Sequence, residues 1–119
     1  MIGIFTLTPN IFENMKISID AGSFLEQQEI LTGEMIARVA DHLDAGGLKG
    51  DVLKETTGKV AFEVACMIDG VSEVSFDGSE AHPYLTFQNG DNELVHLGGN
   101  SYMHELVYGI LNAMFDENT

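Results

Sequence analysis

An α+β domain in two layers, an antiparallel sheet packed with about three helices, is the fold class that this chain of 119 residues predicts. Three observations carry that expectation. Residues 101–115, SYMHELVYGILNAMF, wound at ~100° per residue, spread Tyr102, Met103, Leu106, Val107, Ile110, Leu111, Ala113, Met114 and Phe115 over an apolar arc of roughly 220°. A surface helix needs an apolar stripe of only ~100°, so this one predicts cover from two directions. Short alternating apolar segments bounded by Gly, Pro, Asn and Asp read as strands. Their order, strand, strand, helix, helix, three-strand meander, helix, groups the helices against a sheet made of an N-terminal hairpin plus a C-terminal meander. No repeat, linker or low-complexity stretch divides residues 1–119, and a single globular domain is expected.

Residues 2–8 are β-branched and aromatic and close at Pro9-Asn10, and residues 15–20, MKISID, alternate in the same way. The two predict a hairpin turning over residues 9–14. Ser23 with Glu26 has the form of a capping box. Behind it Phe24, Leu31, Met35, Ile36, Val39 and Leu43 keep helical spacing until Gly46-Gly47 stops the pattern. Thr32-Gly33 interrupts that helix, and Thr32 offers an alternative cap for a second, shorter one. Residues 48–58 read as a loop with a turn of helix over 51–55. Residues 59–69 fit both periods, and their length favours a helix. Strands follow over 71–76, ended by Asp77-Gly78, over 84–88, and over 93–97 after the turn Asn89-Gly90-Asp91-Asn92. Gly98-Gly99 leads into the final helix, with Asn100 or Ser101 as its N-cap.

Charge excludes more than any motif does. The net charge is −14. All five basic residues, Lys16, Arg38, Lys49, Lys54 and Lys59, stand in the first 59 positions beside nine carboxylates, and the remaining positions hold ten carboxylates with no Lys or Arg. Nothing in the second half can neutralise phosphate, which argues against direct binding of nucleic acid or an anionic membrane and points to cations or a basic protein as partners. Solubility, or adaptation to a salty cytoplasm, explains the same acidity without a partner. The first ten residues lack a basic flank and no stretch approaches the ~20 apolar residues of a membrane span, so a cytoplasmic protein is expected. Cys66 is the only cysteine, in apolar company, which reads as a small buried hydrophobe and not a reactive thiol.

Candidate sites are few. Tyr84 and His96 on the hairpin and Tyr102 and His104 on the final helix are the residues that would line a ligand pocket between the two. His104 and Glu105 point ~100° apart and lack the spacing of a HExxH helix, so no metal site and no cofactor is expected. His42 reads as a solvated helix residue, and His82, before Pro83, as a loop residue. Gly98-Gly99-Asn100-Ser101 has the shape of an anion-receiving turn without the glycine spacing or the lysine of a phosphate loop. The Asp77–Glu80 and Asn89–Glu93 turns are rich in oxygen but do not follow an EF-hand pattern. No serine sits in a nucleophile elbow, which leans against an enzyme. The leading expectation is a small acidic binding or interaction protein that self-associates as a dimer, using the part of the final helix near Tyr108, Leu111 and Phe115, unless the helix over 24–43 covers that face. An acidic inhibitor or immunity-type protein that occupies a basic site on a partner is one alternative. A small-molecule binder or enzyme using the hairpin pocket is the other.

Overall fold

A computed structural model describes residues 15–90 and 92–116. Three helices, α1 (Ala21–Ala45), α2 (Gly50–Ile68) and α3 (Met103–Asp116), pack as a bundle, each in contact with the other two. Five short strands, β1 (Lys16–Ile19), β2 (Val74–Phe76), β3 (Ser79–Ala81), β4 (Phe87–Gln88) and β5 (Glu93–His96), make two small sheets. The fold is α+β. The expected strand over residues 2–8 and its turn lie outside the described residues.

The first long helix starts earlier than its sequence suggests. Asp20 is the N-cap, its Oδ1 accepting from the Ser23 N–H at 3.1 Å. Ser23 therefore sits inside the first turn, where its hydroxyl accepts from Gln27 Nε2. Nor does Thr32-Gly33 break the helix, because the buried Thr32 hydroxyl donates to the Gln28 carbonyl at 2.7 Å and is satisfied in place. At the far end Gly47, at φ +106°, lets its own N–H reach Asp44 O and the Leu48 N–H reach Leu43 O, the paired bonds that close a Schellman end.

Residues 50–58, expected to be mostly loop, are the first half of α2. Their local propensity is poor, with Val52, Thr56, Thr57 and Gly58 together. Tertiary packing overrides it. Gly58 is buried where α2 meets α3, and a Cβ there would lie 2.7 Å from Leu111 Cδ2 and 3.0 Å from Tyr108 Cε1. The glycine that reads as punctuation sits where α2 and α3 leave no room for a Cβ. The expected helix over 59–69 is the second half of the same element.

The sheet departs from the expected antiparallel arrangement. β1 pairs parallel with β5 and β4 pairs antiparallel with it, so the main sheet is mixed, in the order β1-β5-β4. The long crossover through α1 and α2 is what permits a parallel neighbour. β2 does not join this sheet. Asp77 and Gly78 both take positive φ, as a two-residue type I′ turn requires, and fold β2 straight back onto β3 as a separate hairpin.

Ile36, Ala61, Ala65, Met103, Val107 and Leu111 form the core, with Leu31, Met35, Phe62, Ile110, Met114 and Phe115 packed around it. The broad apolar arc of α3 is thus covered from two sides within the chain, by α1 and α2. On the sheet side Phe24 meets Phe87 edge-on, ring centroids 5.1 Å apart, and Val95 of β5 is buried.

Candidate functional site

Polar side chains converge where the three helices meet. The carboxylate of Asp69, at the C-terminal end of α2, is fully buried. Its Oδ1 accepts from the Ser101 hydroxyl at 2.6 Å, and its Oδ2 accepts from the His104 backbone N–H at 2.8 Å and from His104 Nδ1 at 2.5 Å. From α1, Gln28 Oε1 accepts from the Tyr102 N–H at 2.7 Å. Two side chains distant in sequence thereby satisfy amides at the start of α3 that have no partner within the helix. Asp69 also places its negative charge at the favourable end of the α3 dipole, which offsets its unfavourable position at the end of α2. His104 lies edge-on to Phe62, with centroids 6.0 Å apart.

Serine, aspartate and histidine in contact invite comparison with a hydrolytic triad, and the connectivity answers it. The carboxylate stands in the middle: Ser101 donates to Asp69 and not to an imidazole nitrogen, so the contacts do not follow the serine–histidine–aspartate order of a triad. Ser101 is itself buried. The arrangement ties the start of α3 to the end of α2. Nearby, burial pushes the Cys66 thiol above its usual range, and the negative charges of Asp69 and Glu63 push the same way. That thiol is a poor nucleophile.

Of the four residues expected to line a pocket, the structure joins two. The Tyr84 hydroxyl lies 2.8 Å from His96 Nδ1, which also receives the Gly98 N–H at 3.3 Å. Tyr102 engages Gln28 through its backbone and His104 engages Asp69, so the two pairs are held by different partners. A cleft of about 460 Å³ is lined instead by residues 70–74, Glu80, Ala81, His82 and Asn100. No group of three or more His, Cys, Asp or Glu among the described residues is gathered as a metal site would need. No helix among them is long and apolar enough to cross a membrane.

Of the residues expected to meet a partner, Leu111 is 2% exposed and belongs to the core, Phe115 is half-buried and Tyr108 is 46% exposed. Leu111 is therefore corrected from a surface to an interior residue. Exposed apolar side chains are spread over the molecule, with Ile30 on α1, Val52 and Val60 on α2 and Phe76 on β2, and two of them stand on one short strand. Ile17 and Ile19 are 70% and 66% exposed on β1, beside the half-buried Leu94 of β5, on the sheet face away from α1.

Sequence reasoning missed Asp69 and Gln28. A signal exists for Gln28, which with Thr32 falls at spacings of four between Phe24 and Ile36, and all four are buried. For Asp69 the signal is weaker: an acid at a helix C-terminus opposes the dipole and asks for another reason to be there. No protein-family model, curated protein or solved structure matches this chain.

Proposed function

We infer that this is a small acidic interaction protein that works by self-association, with its contact surface on the sheet and not on the final helix. The observation that supports this reading is the exposed apolar strand β1, since the broad face of α3 is already covered by α1 and α2. The test is molar mass by light scattering at low and high salt. Twice the chain mass is expected at both. Salt should tighten the association, because each copy carries a net charge of −14 and screening shortens their repulsion to ~8–10 Å. A single-chain mass across the concentration range overturns the reading.

Charge supports a second reading, an acidic protein that occupies a basic site on another protein. Its motive is the run from residue 60 onward, with ten carboxylates and no Lys or Arg. An on-rate that falls steeply with salt is then expected for the captured partner, and a salt-insensitive complex counts against it. A small-molecule site between hairpin and final helix has less support, because Tyr84 and His96 engage each other and His104 is held by Asp69.

A further inference from the structure

An asparagine followed by glycine holds both partners of a slow reaction. The glycine backbone nitrogen attacks the asparagine side-chain carbonyl, and with no Cβ the glycine hinders that approach least. The reaction needs a free N–H, a free carboxamide and room for the backbone to turn, and a fold is able to withhold any of the three. Among the described residues an Asn or Asp precedes glycine at Asp69-Gly70, Asp77-Gly78 and Asn89-Gly90, and Asn100 precedes the small Ser101. At the first of these Asp69 is fully buried with both oxygens accepting hydrogen bonds, and the Gly70 N–H donates to Met67 O at 3.2 Å. Asp77 offers a carboxylate, a poorer electrophile than a carboxamide. Asn100 is held through Nδ2 by Pro83 O at 3.4 Å, and Ser101 is buried.

Asn89-Gly90 meets all three needs. The Asn89 backbone N–H donates to Glu93 O at 2.7 Å, but its carboxamide has no hydrogen-bond partner among the described residues, and neither has the Gly90 N–H. Gly90 is exposed at φ +59°, with nothing within 4 Å of the place a Cβ would take. We propose that Asn89 is a modification site, deamidating spontaneously in the folded protein. A base takes the Gly90 N–H proton, the nitrogen bonds to Asn89 Cγ, and the side-chain nitrogen leaves as ammonia, closing a five-membered succinimide. Water then opens the ring at either carbonyl. One opening leaves aspartate at position 89. The other leaves isoaspartate, whose main chain runs through the former side chain and is longer by a methylene. The net change is one water consumed and one ammonia released.

The site lies between two anchors of the mixed sheet. The Asn89 N–H ties residue 89 to Glu93, and the Lys16 N–H donates to Asn92 O at 2.8 Å, so residues 89–92 connect the β4–β5 pairing to the start of the β1–β5 pairing. A longer main chain works against both anchors. A new carboxylate alone only adds charge near Glu93, whose Oε2 already accepts from the Ser18 hydroxyl at 2.8 Å. Isoaspartate is therefore the product that loosens the end of β5, the central strand.

The full chain is kept for several days at pH 8, folded and, in parallel, unfolded in guanidinium chloride, and peptide mass mapping locates each gain of about 1 Da. In the folded chain the gain should fall on the peptide holding Asn89-Gly90, at a rate within about threefold of the unfolded one, while Asn100 reacts about tenfold more slowly folded than unfolded. Gly90→Ala should slow the gain about tenfold, and Asn89→Gln should remove it. The isoaspartate form, separated by chromatography, should unfold at lower urea than Asn89→Asp, which carries the charge without the methylene. Protection of Asn89 by about tenfold or more in the folded chain overturns the proposal, as does a gain that appears first at Asn100. Equal urea midpoints for the isoaspartate form and Asn89→Asp overturn the effect assigned to β5.

Discussion

The helix junction and the β1 edge break the ordinary rule of polarity in opposite directions. At the junction Gln28, Asp69 and Ser101 are buried, and each has its hydrogen-bond partner. Along β1, Ile17 and Ile19 are exposed and their backbone groups meet nothing among the described residues. A buried polar group that is fully bonded explains itself, since it serves the chain it belongs to. An exposed apolar edge does not, and it is the place to look for something outside the chain. The buried polar cluster has its hydrogen-bond partners within the chain, whereas the functional proposal rests on the plain strand β1.

The largest expected effect sets core against edge. Leu111→Glu should abolish the fold, because a carboxylate among Ile36, Ala61 and Val107 has no partner and its burial costs several kcal/mol. Ile17→Glu should leave the fold intact and remove association. Circular dichroism together with light scattering checks both, and a folded Leu111→Glu chain would break the contrast. Next comes Asp69→Ala. It strips the Ser101 hydroxyl and two His104 donors of their acceptor and should cost about 3 kcal/mol in urea unfolding. A loss below ~1 kcal/mol would mean that water replaces the carboxylate and the junction is not the rigid region described.

A smaller effect is expected at the α2–α3 contact. Gly58→Ala gains helix propensity but drives a methyl group against Leu111 and Tyr108, for a net cost of about 1 kcal/mol. In the Leu111→Ala background that cost should disappear, which a double-mutant cycle reads directly. Smallest is the behaviour of Cys66. Its alkylation at pH 8 should be slower than that of free cysteine and should climb only as pH rises beyond the thiol's ordinary value. The folded thiol holds its proton more tightly than the unfolded one. Its contribution to stability is thus intact below the ordinary value and is lost as pH rises through the raised folded value.

How much was legible in the sequence follows from the range of each interaction. The double cover of α3, the stop at Gly46-Gly47 and the turn at Asp77-Gly78 depend on neighbours within a few residues, and all are visible there. The first half of α2 is not, because Thr57 and Gly58 are helical only through what they touch on α3. Asp69 and Gln28 are invisible for the same reason, their partners lying 32 to 35 and 74 positions away. The parallel β1–β5 pairing spans a similar distance, and local alternation says nothing about which strand will be the neighbour. Tyr84 and His96 meet each other, whereas Tyr102 and His104 belong to the junction.

The capping of α3 by residues from α1 and α2 also orders events in time. During synthesis the chain emerges from its amino end, so Ile36, Ala61 and Ala65 are available well before the helix that covers them. When residues 103–116 arrive, they find both their apolar seat and the acceptors for their first amides already present. The last helix is thus a keystone. Without it, Ile36, Ala61 and Ala65 would lose the side chains that cover them.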